Sequence, residues 1–95
     1  MTKLEEHFLN KLIMENDRVC VLDVLFKPND KAAMHSHQDH VVYVLKGGKL
    51  KLTASGKTDV IDLNTGQAMF FEAQSHEVEN TGETDVDLLV VELKK

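Results

Sequence analysis

Ninety-five residues, 42% apolar and 28% charged, supply one ordinary globular core and no material for a second. A net charge of −5 with scattered lysines offers no basic face for nucleic acid, and no stretch approaches the roughly 20 apolar residues that a membrane helix requires. The first residues hold no apolar segment of signal-peptide length and Cys20 has no partner for an internal disulfide, so a single cytoplasmic domain spanning residues 1–95 is expected.

Thr2 and Glu5 stand in capping-box positions and mark one helical turn over residues 2–10, too short to hold by itself. His7 lies in that turn with no partner motif and reads as a surface residue. From there the chain alternates runs of Val, Leu, Ile and Phe with turn residues, which predicts strands over 8–14, 18–27, 31–36, 40–46, 48–54, 57–63, 68–72, 76–80 and 85–93. Cys20 falls inside the second of these and reads as a small buried strand residue.

Gly47-Gly48, between Val41–Leu45 and Leu50–Leu52, predicts a two-residue hairpin. Counted outward from it, His40, Val42 and Val44 share one face, while Val41, Tyr43 and Leu45 share the other. Both faces are apolar, as is the centre of 85–93, so these strands should be covered on both sides and a homodimer is expected. Nine short strands without crossover helices exclude a parallel α/β fold and favour a closed sandwich or barrel.

Three of the five histidines fall within six residues, His35-Ser36-His37-Gln38-Asp39-His40. On an extended segment His35 and His37 share a face, about 7 Å apart. His40 begins the next strand and can point into the same space, and His76 follows some forty residues later. Imidazole is the commonest side-chain metal ligand, so His35, His37, His40 and His76 form a candidate site shared between strands. Four neutral imidazoles suit a divalent transition metal (Fe, Ni, Zn, Cu or Mn) better than Ca or Mg. Asp39, Glu77 and Glu79 lie beside the histidines and are candidate acceptors for their ring N–H groups. Met34 and one of Phe70 and Phe71 are candidates for the cavity mouth.

Pro28–Gly47 resembles the first motif of the cupin superfamily, a His-x-His pair followed by a glutamate and a glycine, and Gly66–Asn80 resembles the second. His35 and His37 match the pair, and Gly66, His76 and Asn80 match the second motif. Registered on Gly47, His40 takes the place of the usual glutamate; registered on Gly48, Val41 takes it and three ligands remain. Glu72 and Gln74 stand where proline and glycine are usual. The resemblance implies an all-β double-stranded β-helix, or jelly-roll barrel, often dimeric, with one metal held inside it. It further implies a small oxygen-bearing organic molecule as ligand, met by a dioxygenase, isomerase or hydrolase type of metalloenzyme. The alternative is a module that binds or senses the molecule without turning it over, which the absence of a long lid loop favours.

Overall fold

The computed structural model describes the backbone of residues 9–94 and every side chain of that span except those of Leu9 and His37. The expected N-terminal turn and His7 therefore lie, but for Leu9 and Asn10, outside the described residues; those two open a strand. The strands are β1 (Leu9–Glu15), β2 (Val19–Phe26), β3 (Lys31–His37), β4 (His40–Lys46), β5 (Gly48–Ala54), β6 (Lys57–Leu63), β7 (Ala68–Phe71), β8 (Gln74–Glu79) and β9 (Val86–Leu93). They form two antiparallel sheets, one ordered β1-β2-β9-β4-β7 and the other β3-β8-β5-β6.

Alternation places the core between the sheets. Val86, Leu88 and Val90 of β9 and Val42 and Val44 of β4 turn inward from the first sheet, to meet Ala32, Leu50, Leu63 and Val78 of the second. Hydrophobic burial of such strand faces is the main favourable term available to a chain of this size. Among the described residues three polar ones are buried with this core, His40, His76 and Asn80, and the Asn80 side chain is fully used: Nδ2 donates to Phe26 O (3.0 Å) and Thr84 O (2.9 Å), while Oδ1 accepts from Gly82 N (2.9 Å). Those bonds fold the 80–85 connection onto the end of β2, and Asn80 becomes a structural clamp.

One local expectation fails. The strands flanking Gly47-Gly48 do not pair with each other: β4 pairs with β7 and β9, and β5 with β6 and β8. The segment is a crossing from one sheet to the other. Neither glycine takes a positive φ, which a two-residue hairpin would demand. They are required for space instead. A Cβ on Gly47 would stand 2.3 Å from Leu63 O and 2.9 Å from Thr65 N, and one on Gly48 would meet Val86 Cγ2 at 2.7 Å. A tight hairpin stands instead at Ser55-Gly56, with φ values of 54° and 75°, joining β5 to β6.

The outward face of the five-stranded sheet is largely apolar, its charged residues including Lys11, Lys46 and the pair Asp23 and Asp87, diagonal neighbours on β2 and β9. Burial, with Asp23 beside it, pushes the Asp87 carboxyl up to about 6, the Leu88 amide and Lys46 pulling the other way.

Two predictions follow from packing and charge. Gly47→Ala should lose about 3 kcal/mol in urea denaturation, because the obstacle is backbone. Gly56→Ala meets nothing within 4 Å and should lose only about 1 kcal/mol, the cost of a left-handed residue; equal losses would contradict the crossing geometry. For Asp87, the folded state keeps a proton that the unfolded chain releases near pH 4, so stability should fall as pH rises from about 4 through 6. Asp87→Asn should remove that slope and gain roughly 1 kcal/mol at pH 7.5 after solvent screening is allowed for; an unchanged slope in thermal denaturation across that window would refute the assignment.

Candidate functional site

A cavity of about 280 Å³ lies between the sheets. Its polar wall among the described residues is made by Asn10, His35, His40, His76 and Glu92, and the remainder is aliphatic or aromatic. The site is assembled from both sheets: His35 and His76 come from β3 and β8, His40 and Glu92 from β4 and β9.

His35 reaches the cavity through an irregularity. Ala32 pairs with Val78 and His35 with His76, so three steps along β3 answer two along β8. This one-residue bulge reverses the strand parity, and both Ala32 (1% exposed) and His35 turn inward. Without it, a residue at an odd spacing from Ala32 would face solvent. Met34, within the bulge, is 53% exposed and does not line the cavity; of the aromatic pair, Phe71 lines it and Phe70 faces out.

His76 sits opposite His35 in register, their ring centroids 4.9 Å apart and the planes near perpendicular. His40 lies between Phe71 and Glu92, its partners on β7 and β9. Its ring stacks on Phe71 at 5.4 Å and stands 6.2 Å from His76, edge to face. It is His40 and not Val41 that faces the cavity, as the Gly47 registration requires. His37 belongs to β3, opposite Gln74, and its side chain lies outside the described residues.

Two of the imidazoles are oriented by the backbone. His35 Nδ1 lies within hydrogen-bonding distance of Ala33 O and His40 Nδ1 of Gln38 O (2.8 Å). A carbonyl only accepts, so Nδ1 is the donor, and in the neutral ring the lone pair falls on Nε2. Carbonyls thus play the part expected of Asp39, Glu77 and Glu79. Glu77 and Glu79 face outward, bridged to Lys31 (2.9 Å) and Lys51 (3.5 Å), because β8 alternates and His76 and Val78 occupy the inner positions. Asp39 accepts the Ala73 amide (2.7 Å) and so ties the turn before β4 to the one before β8.

Glu92 went unrecognised in the sequence. The signal was the alternation Val86, Leu88, Val90, Glu92, which puts the carboxylate on the face of three buried residues, but it was masked by the apolar outer positions Leu89, Val91 and Leu93. Cys20, one strand away, is only half-buried, short of the full burial expected of it.

Among the described residues no three His, Cys, Asp or Glu side chains are grouped as a metal-holding cluster. The rings nevertheless fit one. An imidazole bound at about 2.1 Å has its centroid about 3.2 Å from the ion, so two such centroids lie about 4.5 Å apart at a right angle and about 6.4 Å when opposed. The separations of 4.9 Å for His35 and His76 and 6.2 Å for His40 and His76 fall inside that range.

A two-sheet antiparallel barrel enclosing a histidine-lined cavity defines the class of protein. A model of the cupin domain matches residues 22–92, and the chain belongs to that family. It is 28% identical over 87 residues to the oxalate-binding protein of Thermotoga maritima, which covers 90% of this chain and 70% of the relative. A cupin domain from Bordetella pertussis Tohama I is similar with a TM-score of 0.88 and 25% identity, over 95% of this chain and 96% of that one. A cupin family protein with a double-stranded β-helix fold from Methanocaldococcus jannaschii shares the fold, at a TM-score of 0.77 and 11% identity over 94% and 82% of the two chains. The fold expected from the sequence is therefore the one observed. Among the described residues no helix is long and apolar enough to cross a membrane.

Proposed function

We propose that this protein is a small metal-dependent cupin in which His35, His37, His40 and His76 hold a divalent transition ion that engages an oxygen-bearing organic molecule in the barrel. The observation that carries the reading is the meeting of three imidazoles from both sheets at one cavity, two of them with Nδ1 anchored to backbone carbonyls. When bound, the ion would polarise a ligand oxygen as a Lewis acid. The protein's own groups do the remaining work. The apolar walls surround the body of the ligand, Phe71 holds the His40 ring in place by stacking, and Glu92 presents a carboxylate that can accept a proton from the ligand.

A non-catalytic binding role is the second reading. It is favoured by the similarity to an oxalate-binding protein and by the longest connection between described strands, residues 80–85, being clamped by Asn80 rather than poised as a lid.

The partner of the outer face is a second copy of the chain. Tyr43 (43% exposed), Leu45 (40%) and Phe70 (56%) lie on it with Val21, Leu25, Leu89 and Val91, while Lys11 and Lys46 stand across from Asp23 and Asp87, so the face carries both charge signs and can complement itself.

His35→Ala and His76→Ala should each lower metal affinity by 100-fold or more by competition with a chelator, while the far-ultraviolet spectrum stays β-rich. Wild-type protein that takes up none of Fe, Ni, Zn, Cu or Mn would overturn the metal reading. Sedimentation at micromolar concentration should give a dimer that Leu89→Lys dissociates; a wild-type monomer would rule out the paired face.

A further inference from the structure

The cavity's walls differ from its polar end in a way that bears on what it holds. The histidine-bearing strands β3 and β8 lie on one side of the four-stranded sheet, and β5 and β6 continue it on the other. Leu52 and Ile61, on β5 and β6, line the cavity there, and Leu22 and Val24 of β2 line it from the facing sheet. β6 is two strand spacings from β8, about 10 Å. Asn10 is the one polar side chain that β1, β2, β5 and β6 contribute to the lining among the described residues, and no lysine or arginine lines it.

From this division we infer that the ligand is a small amphiphile, one singly charged oxygen head on an aliphatic or aromatic body, and that a compact dianion such as oxalate is a poor fit. The inference rests on the proposed metal site for the head but on the apolar walls for the body. Oxalate carries oxygen on both carbons. With two of its oxygens at the polar end, the other two would face a wall of leucine, isoleucine and valine in which Asn10 is, among the described residues, the one side chain able to donate a hydrogen bond, and an unsatisfied polar group in such surroundings is costly. Charge points the same way. Neutral imidazoles, a doubly charged cation and the Glu92 carboxylate leave one positive charge, which a monoanion neutralises and a dianion overshoots. The body's size follows from volume: a cavity of roughly 150 Å³ accepts benzene, so about 280 Å³ accommodates on the order of ten non-hydrogen atoms.

The test is a homologous series of 2-oxo acids, from glyoxylate through pyruvate to 2-oxooctanoate, with oxalate alongside, titrated by calorimetry into zinc-loaded and metal-free protein. Affinity should rise about fourfold for each added methylene, until about ten non-hydrogen atoms fill the space, with increasingly negative heat-capacity change. Oxalate should bind the loaded protein more weakly than the longer members do. Ile61→Ala, on an edge strand, should weaken the longest acids several-fold and leave glyoxylate and pyruvate unaffected. A flat or falling series on protein that has taken up zinc overturns the inference and leaves the metal site standing. A rising series on protein that takes up no zinc overturns the metal site and keeps the apolar subsite. Tightest binding of oxalate, or no binding by either form across the series, also overturns the inference.

Discussion

An extra residue in β3 is the constraint on which the site depends. Strand geometry sends alternate side chains to opposite faces, so a strand that has committed Ala32 to the core cannot also present His35 there unless the count is broken once. The bulge between Ala32 and His35 breaks it. The same distortion supplies the Ala33 carbonyl that His35 Nδ1 engages, so the device that aims the ring also sets its tautomer. Its cost is local: Met34 is pushed out to solvent and β3, among the described residues a sheet edge, pairs there with β8 alone.

The rest of the barrel serves to bring that residue opposite the ring it needs. His40 belongs to the other sheet, and the two halves of the site stay in register only if the chain crosses from β4 to β5 over a short distance. Gly47 and Gly48 make this possible by letting backbone pass closer to Leu63 and Val86 than any side chain would permit. The Asn80 side chain then holds the neighbouring 80–85 connection by hydrogen bonds to Phe26 O at the end of β2 and to Thr84 O within the connection itself. Shape is thus held by backbone approach and one buried amide, which frees the interior side chains to line a cavity instead of filling it. The wall is therefore itself the recognition surface, with the histidines and Glu92 gathered on β3, β8, β4 and β9 and, Asn10 apart, hydrocarbon elsewhere among the described residues.

The fold was legible in the sequence because strand patterns and turn residues are strong where each strand has one buried face: the β4, β5 and β6 boundaries are as expected, and alternation put His40, Val42 and Val44 on one face and Tyr43 on the opposite one. Which of the two apolar faces turns inward was not legible. What was misread had a physical cause each time. A Gly-Gly pair signals a tight turn and a close backbone contact equally, and only the neighbours of residues 63–65 and 84–86 tell them apart. A bulge leaves no mark in composition, so the inward turn of His35 was expected from a regular strand and achieved by an irregular one. Sequence adjacency suggested Glu77 and Glu79 as partners of the histidine rings, whereas alternation sends them outward to Lys31 and Lys51. Glu92, remote in sequence, is the carboxylate that enters the cavity.

The proposed function requires that imidazoles carried by separate strands converge on one ion. X-ray absorption fine structure of the zinc-loaded protein measures this directly. It should show three or four nitrogen scatterers at about 2.0 to 2.1 Å with the outer-shell pattern of imidazole. A first shell of oxygen alone, or a sulfur contribution from Cys20 at about 2.3 Å, would contradict it.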